Sequence, residues 1–415
     1  MPSSAANDST SSASNPPRVF QGRSTLIDAL RGIAAFSVAC YHIHRYGPLP
    51  ESAAPVIPSA LAAWFEHGWI GVQVFFVISG FVIAYSVREA WVTPRYLLNY
   101  AFRRSIRLDP PYWTTIAFVL LLHWVFHLQL EFASPMDVPE PMHAPLSWKL
   151  VLAHMLYLQN ILSESMGFEN LSAGFWTLCI EVQFYLLYVV GQGVAQRISR
   201  RRQPTPGAAS GRNLLIVFAP LALLSLFLWN LDQGGKTWQW IFSQWNAPRL
   251  AAAPPGRDFW ITHFFCMFFL GALIWWTLDG KTSPRWLWGY VLLVAARLAW
   301  HWSLDLTIAL GAGVLIYAAG RRGRLGTALN FRPLQYLGRI SYSLYLIHFP
   351  VAHVVTTLGH HYLVVEGDVT PWAAALWLLL ALAASLGVAH LMYTYIEAPS
   401  VRLATRFKPQ QVLRT

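Results

Sequence analysis

The chain has 415 residues, of which 55% are hydrophobic and 12% charged, and its mean hydropathy is +0.40. Soluble domains carry about 25% charged residues, so this composition excludes an ordinary soluble protein and indicates an integral membrane protein. The net charge of +11 does not indicate a nucleic-acid-binding protein, because the basic residues form short clusters between apolar segments. Cys40, Cys179 and Cys266 lie within apolar segments, so we expect no disulfide framework.

A helix needs about 20 mainly apolar residues to span a membrane. Ten segments meet this requirement, at residues 25–45, 68–87, 110–130, 174–195, 213–231, 259–278, 286–302, 304–320, 334–357 and 371–395. Asp305 lies almost directly between the seventh and eighth segments, so we expect these two to form a tight hairpin. Residues 147–162 are apolar but contain His154, Gln159 and Asn160, which favours an interfacial or re-entrant helix. The sequence therefore predicts an all-α, polytopic integral membrane protein with about ten transmembrane helices.

The distribution of lysine and arginine predicts the orientation of these spans. When successive loops and the tails are assigned to alternating sides of the membrane, 23 lysines and arginines fall on one side and 5 on the other. Because basic residues concentrate on the cytoplasmic side, we expect both termini to face the cytoplasm. Residues 1–23 then form a disordered cytoplasmic tail that is not a cleavable signal peptide. Residues 24–400 form the transmembrane domain, and residues 401–415 a C-terminal cytoplasmic tail.

Ionisable side chains inside apolar segments are costly to bury and therefore mark candidate functional sites. Arg31 and His42 are 11 residues apart in the first segment, which is about three helical turns or about 16 Å, so they share one helix face. The alternative is that Arg31 extends to the interface and His42 lies at the other interface. Glu181 is the only acid well inside a predicted span, so it needs either a function or a cationic partner.

Arginines also precede the third segment, at Arg103, Arg104 and Arg107. They are typical of a positive-inside signal. Arginines three or four residues apart also share a helix face and can bind phosphates bidentately, so the cluster is a candidate anion site.

A stripe of Ser, Tyr and His residues runs along the ninth segment to Tyr345 and His348, and Ser79 lies in the second. Such hydroxyls can bond to helix carbonyls, but the stripe also suits a polar cavity. We therefore take Ser79, Tyr345 and His348 as candidate cavity-lining residues. A histidine near an acid and a polar cavity suits general base catalysis on a hydroxyl. These residues alone leave open a two-sided enzyme or a transporter.

Five pieces of the sequence, in order, resemble the acyltransferase-3 family of membrane O-acyltransferases, whose members modify O-antigens, exopolysaccharides, Nod factors and macrolide sugars. Each piece alone is weakly diagnostic, and the resemblance covers about residues 24–400. The pieces are Leu26–Gly32 with Tyr41 and His42, then Phe75–Phe81, Arg103–Trp113, Phe175–Tyr185 and Ser341–His348.

The resemblance implies that His42 is the catalytic base or a transient acyl carrier, and that Arg31 helps to bind the acyl donor. It further implies that the arginine cluster Arg103, Arg104 and Arg107 contacts the phosphates of acyl-CoA. Glu181 would assist His42 or the acceptor. Many members have two consecutive acids in this motif, whereas here Val182 follows Glu181, which puts a mechanism based on a carboxylate pair in doubt. Some members carry a soluble C-terminal hydrolase-like domain, and we expect none here.

We therefore expect a membrane O-acyltransferase that moves an acyl group, with acetyl as the first candidate, from cytoplasmic acyl-CoA to a carbohydrate hydroxyl of a cell-surface or exported glycan. Its expected location is the bacterial inner membrane. We expect acyl-CoA as co-substrate, a carbohydrate or glycolipid acceptor, and glycan-assembly machinery as a candidate partner. No bound cofactor is expected, and no metal, because the histidines lack ligand spacing.

Two other classes stay open. A transporter or exporter without acyl-transfer chemistry would also bury charges in the membrane, but it usually shows inverted repeats and broken helices. A scaffold protein would not need Glu181 and His42 at membrane depth.

Overall fold

The computed structural model describes residues 24–47, 49–126, 147–166, 171–200, 209–231, 261–365 and 369–407. All regular secondary structure in these ranges is helical. The predicted tail at residues 1–23 lies outside them, as do residues 408–415 of the predicted C-terminal tail. The described part of that predicted tail is helical as far as Arg406, and its cytoplasmic location stays a prediction.

The helices are numbered in chain order. They are α1 (Thr25–Arg45), α2 (Pro50–Ala53), α3 (Ser59–Glu66), α4 (Gly71–Ser86), α5 (Pro94–Phe126), α6 (Trp148–Met155), α7 (Gln159–Met166), α8 (Phe175–Arg200), α9 (Gly211–Leu231), α10 (Ile261–Leu278), α11 (Pro284–Trp300), α12 (Leu304–Arg321), α13 (Arg332–Val365), α14 (Pro371–Met392) and α15 (Ala398–Arg406). A π-helical turn, Tyr393–Glu397, joins α14 to α15.

Each of the ten predicted spans overlaps a helix, and seven of these helices in the described ranges are long and apolar enough to cross a membrane. The seven are α1, α4 together with the 3₁₀ turn Gly68–Ile70 that precedes it, α8, α9, α10, α12, and α14 with its continuation to Arg406. The protein is therefore a multi-pass membrane protein. Of the other three, α11 has only 17 residues, while α5 and α13 carry polar and charged residues along their apolar stretches. The count of ten spans and the orientation of the termini stay predictions.

Two local expectations differ from the structure. The third segment does not begin at Pro110, because α5 runs without a break from Pro94 through Pro110 and Pro111. Prolines inside a helix remove backbone donors, but membrane helices tolerate them where neighbouring groups compensate. The arginine cluster therefore lies within α5 and not in a loop before it.

The predicted interfacial helix at residues 147–162 is two short helices, α6 and α7. Its polar residues are structural. His154 is buried between the carbonyl of Leu150 and the amide of Leu171, and burial lowers its pKa to about 4. Gln159 and Asn160 donate to backbone carbonyls in the first turn of α8, which fixes this segment beside the start of that helix.

The most extensive helix pair in the described structure is α1 with α13. The two backbones touch at glycines: a Cβ on Gly338 would lie 2.2 Å from the carbonyl oxygen of Asp28, and one on Gly32 would lie 2.6 Å from the amide nitrogen of Gly338. Small residues allow such close approach between membrane helices. The contact places the Arg31–His42 face of α1 beside the polar stripe of α13.

Two apolar clusters flank the middle of the molecule. The first packs α4 against α8 and α10 and contains Phe184 and Phe268, whose ring centroids are 4.1 Å apart. The second packs α1, α5 and α13 and contains Tyr112 and Leu344. A cavity whose lining combines apolar with charged side chains is bordered by residues of both clusters.

The glycine contact gives a test of the packing. Gly338→Ala should lower the unfolding midpoint of the detergent-solubilised protein, because overpacking a tight contact costs about 1–3 kcal/mol. Gly311→Ala is the matched control, since a Cβ at Gly311 meets no atom within 4 Å and alanine favours a helix over glycine. Equal midpoints for the two variants, measured by thermal unfolding, would contradict the close α1–α13 contact.

Candidate functional site

The cavity has a volume of about 260 Å³ and is lined by α1, α4, α5, α8 and α13, together with Glu397. Its lining on α4 extends from Val72 to Tyr85. These residues are 13 positions apart, or about 20 Å along the helix. The cavity is therefore elongated along the helix axes, and it brings residues near opposite ends of α4 onto one surface.

Three of the four predicted donor-binding arginines, Arg31, Arg104 and Arg107, line this cavity, and Arg103 does not. Arg104 forms an ion pair with Glu181, at 3.6 Å between Nη2 and Oε1. Its guanidinium carbon also lies 3.7 Å from the centroid of the Tyr185 ring. The buried Nε of Arg104 has no hydrogen-bond partner among the described residues, so the guanidinium keeps unused hydrogen-bonding capacity.

Glu181 lies at the centre of a polar network that joins three helices. It accepts hydrogen bonds from Ser79 of α4, at 3.0 Å, and from Tyr185 of α8, in addition to its ion pair with Arg104 of α5. Within the described part of the chain, neither His42 nor His348 is among its polar partners. The structure thus places Glu181 against Arg104, whereas the resemblance implied that Glu181 assists His42 or the acceptor.

His42 instead pairs with another histidine. Its Nδ1 lies 2.7 Å from Nε2 of His348, and the two ring centroids are 5.0 Å apart with an interplanar angle of 19°. His42 is half-buried, so part of its ring stays accessible, whereas His348 is completely buried. The contact joins α1 to α13 across 306 positions of sequence.

The histidine pair adjoins one end of the cavity without lining it. Of the three candidate cavity-lining residues, Ser79 and Tyr345 line the cavity and His348 does not. The Tyr345 hydroxyl lies 2.7 Å from the Thr177 hydroxyl, and the Tyr345 ring is 6.1 Å from the His348 ring. Tyr345 therefore contacts the cavity on one side and the histidine pair on the other.

Sequence reasoning missed a buried acid in this site, Glu397. It lies buried in the π-helical turn, lines the cavity, and accepts hydrogen bonds from the Ser343 hydroxyl at 2.6 Å and the Ser343 amide at 3.2 Å. Arg31 and Arg107 are close enough to interact with its charge. The tenth predicted span ended at residue 395, which placed this acid in the cytoplasm.

Glu181 is also not the only acid within the helical bundle. Asp109 is buried and accepts hydrogen bonds from Ser105 and Tyr157. Asp305 accepts a hydrogen bond from the buried Gln73. Asp109 and Asp305 lie outside the cavity lining, and their partners suit a structural role.

A comparison with curated proteins finds relatives whose sequence identity to this chain is low. The chain is 22% identical over 393 residues to peptidoglycan O-acetyltransferase OatA of Listeria monocytogenes, covering 90% of this chain and 55% of that protein. It is 24% identical over 392 residues to O-acetyltransferase OatA of Staphylococcus aureus, covering 92% and 57%. The putative peptidoglycan O-acetyltransferase YrhL of Bacillus subtilis is 22% identical over 396 residues, covering 90% and 54%. The chain thus spans little more than half the length of these relatives.

No solved structure matches the chain at a significant level. The acyltransferase-3 family model, described as an acyltransferase domain, matches residues 25–394. This range includes both histidines and all the predicted arginines, and it ends three residues before Glu397. The chain belongs to the acyltransferase-3 family.

Proposed function

We propose that this protein transfers an acyl group, with acetyl as the first candidate, from cytoplasmic acyl-CoA to a carbohydrate hydroxyl, with His42 as general base. The observation that carries the proposal is the cavity, which leads from half-buried arginines to a tyrosine that contacts a histidine pair. Family membership favours this activity over transport. The proposal includes the topology expected from the sequence, with about ten spans and both termini in the cytoplasm. It also includes a location in the bacterial inner membrane.

Three arginines in the cavity lining support an anion site at the donor end. Arg104 and Arg107 on α5 and Arg31 on α1 line the same cavity, and guanidinium groups bind phosphate oxygens through charge-assisted hydrogen bonds. An elongated cavity also suits the extended thioester arm of acyl-CoA, with its phosphates at the arginines and its acyl end toward Tyr345.

The chemistry is then direct transfer of the acyl group. The acceptor hydroxyl oxygen attacks the thioester carbonyl carbon while His42 takes the hydroxyl proton. The new carbon–oxygen bond forms as the carbon–sulfur bond breaks, and CoA leaves as a thiolate that is protonated to the thiol. Glu181 and Glu397 contribute by holding Arg104, and the region around Arg31 and Arg107, in place.

The acceptor is proposed from the relatives. The names of the Listeria monocytogenes and Bacillus subtilis relatives specify peptidoglycan. We therefore place a glycan hydroxyl at the outer side of the membrane, where the predicted topology puts His42. O-acetylation of that glycan, with glycan-assembly machinery as a partner, is the physiological form of the proposal.

Removing the base tests the function. His42→Ala should reduce acyl transfer by about 10²–10⁴-fold, the usual contribution of general acid–base catalysis. The measurement is transfer of labelled acetyl from acetyl-CoA to glycan, with mass spectrometry of surface glycans from cells that express equal amounts of protein. His361→Ala, an exposed position on the same helix as His348, is the control and should behave as wild type. Wild-type transfer by His42→Ala would exclude His42 as the base.

The arginines give a separate test of the donor site. Arg107→Gln and Arg104→Gln should each weaken binding of labelled acetyl-CoA to the purified protein by roughly tenfold or more, because each removes a charged hydrogen-bond donor. Arg107 gives the cleaner result, since Arg104 also neutralises Glu181.

The matched control is Arg95→Gln, which changes an exposed arginine of the same helix and should leave binding unchanged. Arg103→Gln should weaken acetyl-CoA binding less than Arg104→Gln, because Arg104 lines the cavity and Arg103 does not. If all four variants bind acetyl-CoA as wild type does, the arginines are a topology signal and not a donor site.

A further inference from the structure

His348 is the buried partner of the proposed base, and its other ring nitrogen makes a second hydrogen bond. Nδ1 of His348 lies 2.9 Å from the carbonyl oxygen of Leu344, one turn earlier in α13. A carbonyl oxygen can only accept a hydrogen bond. The proton of this contact therefore lies on Nδ1 of His348.

The state of the second nitrogen follows from this assignment. A neutral imidazole carries one donor and one acceptor. His348 is completely buried and, in the described structure, no carboxylate contacts it, so the neutral form is the one that burial favours. Its Nε2 is then an acceptor, and the 2.7 Å contact is a hydrogen bond donated by Nδ1 of His42.

We infer that His348 is a positioning residue that holds the proton of His42 on Nδ1 and so leaves the Nε2 lone pair of His42 free to act as the base. In serine hydrolases a buried carboxylate fixes the tautomer of the catalytic histidine. Here a neutral imidazole, itself fixed by a backbone carbonyl, performs this task. The inference rests on the proposed function for its chemical consequence, but the tautomer of His42 is independent of any activity.

The arrangement also changes during the proton transfer. When Nε2 of His42 takes the proton of the acceptor hydroxyl, the ring becomes an imidazolium, and its Nδ1–H still donates to Nε2 of His348. That hydrogen bond is then charge-assisted and stronger than before. His348 would thus stabilise the protonated base without a buried carboxylate next to it.

Three substitutions separate positioning from simple packing. His348→Leu keeps an apolar side chain but removes the acceptor for His42 Nδ1. His348→Gln restores an acceptor through its side-chain oxygen. His353→Leu is the control on the same helix, where the His353 ring packs on Phe349 with centroids 6.4 Å apart and lies outside the proposed machinery.

The direct measurement is the ¹⁵N spectrum of the histidine side chains in the membrane-embedded protein, with His42 assigned by comparison with His42→Ala. Wild type and His353→Leu should show His42 protonated on Nδ1 and unprotonated on Nε2. His348→Leu should show a mixture of both tautomers, and His348→Gln should recover the Nδ1–H form. A wild-type spectrum with His42 protonated on Nε2 would overturn the inference without need of any variant.

Kinetics supply the second readout. His348→Leu should lower kcat by a factor between about ten and the roughly 10²–10⁴-fold contribution of a general base, with the KM for acetyl-CoA unchanged. His348→Gln should regain part of kcat, and His353→Leu should match wild type. Full kcat in His348→Leu would overturn the inference. An Nδ1-protonated His42 together with full transfer by His42→Ala would instead contradict only the proposed function.

Discussion

The rest of the site depends on the ion pair between Arg104 and Glu181, two half-buried groups whose charges compensate each other. An unpaired charge within a membrane domain is costly, and here Arg104 of α5 meets a carboxylate of α8 that Ser79 of α4 also contacts. One carboxylate therefore fixes three helices around the cavity. Glu397 has a comparable position at the other wall, where it bonds to Ser343 and interacts with Arg31 and Arg107. Paired in this way, the arginines can stay inside the bundle and still present donors to a ligand.

The resulting site has two chemically different ends. At one end, half-buried guanidinium groups suit the phosphates of an acyl donor, and at the other a pair of imidazoles suits proton transfer. Tyr345 connects them, because it lines the cavity, contacts Thr177 and lies beside His348. The close glycine contact between α1 and α13 determines where the second end lies, since it sets His42 against His348. The proposed function assigns the acyl donor to the first end and the acceptor hydroxyl to the second.

Much of the helical pattern was predictable, because apolar length and helical spacing are local properties. Helix α1 has the predicted bounds, and Arg31 and Glu181 line one cavity. The ion pair of Glu181 with Arg104 was not predictable. The position of a residue along its own helix does not determine which other helix packs against it. The pairing of His42 with His348 depends on a contact between helices far apart in sequence. Glu397 was missed because the π-helical turn extends the last span beyond its apolar segment.

The proposed arrangement of acyl donor and base can be tested by a structure of the protein with a non-hydrolysable acetyl-CoA analogue. We expect the phosphates at Arg104 and Arg107, the thioester arm along the α4 side of the cavity, and the acyl carbonyl beside Tyr345 on the side facing His42. An analogue bound outside this cavity, or with its acyl end directed away from the histidine pair, would contradict it.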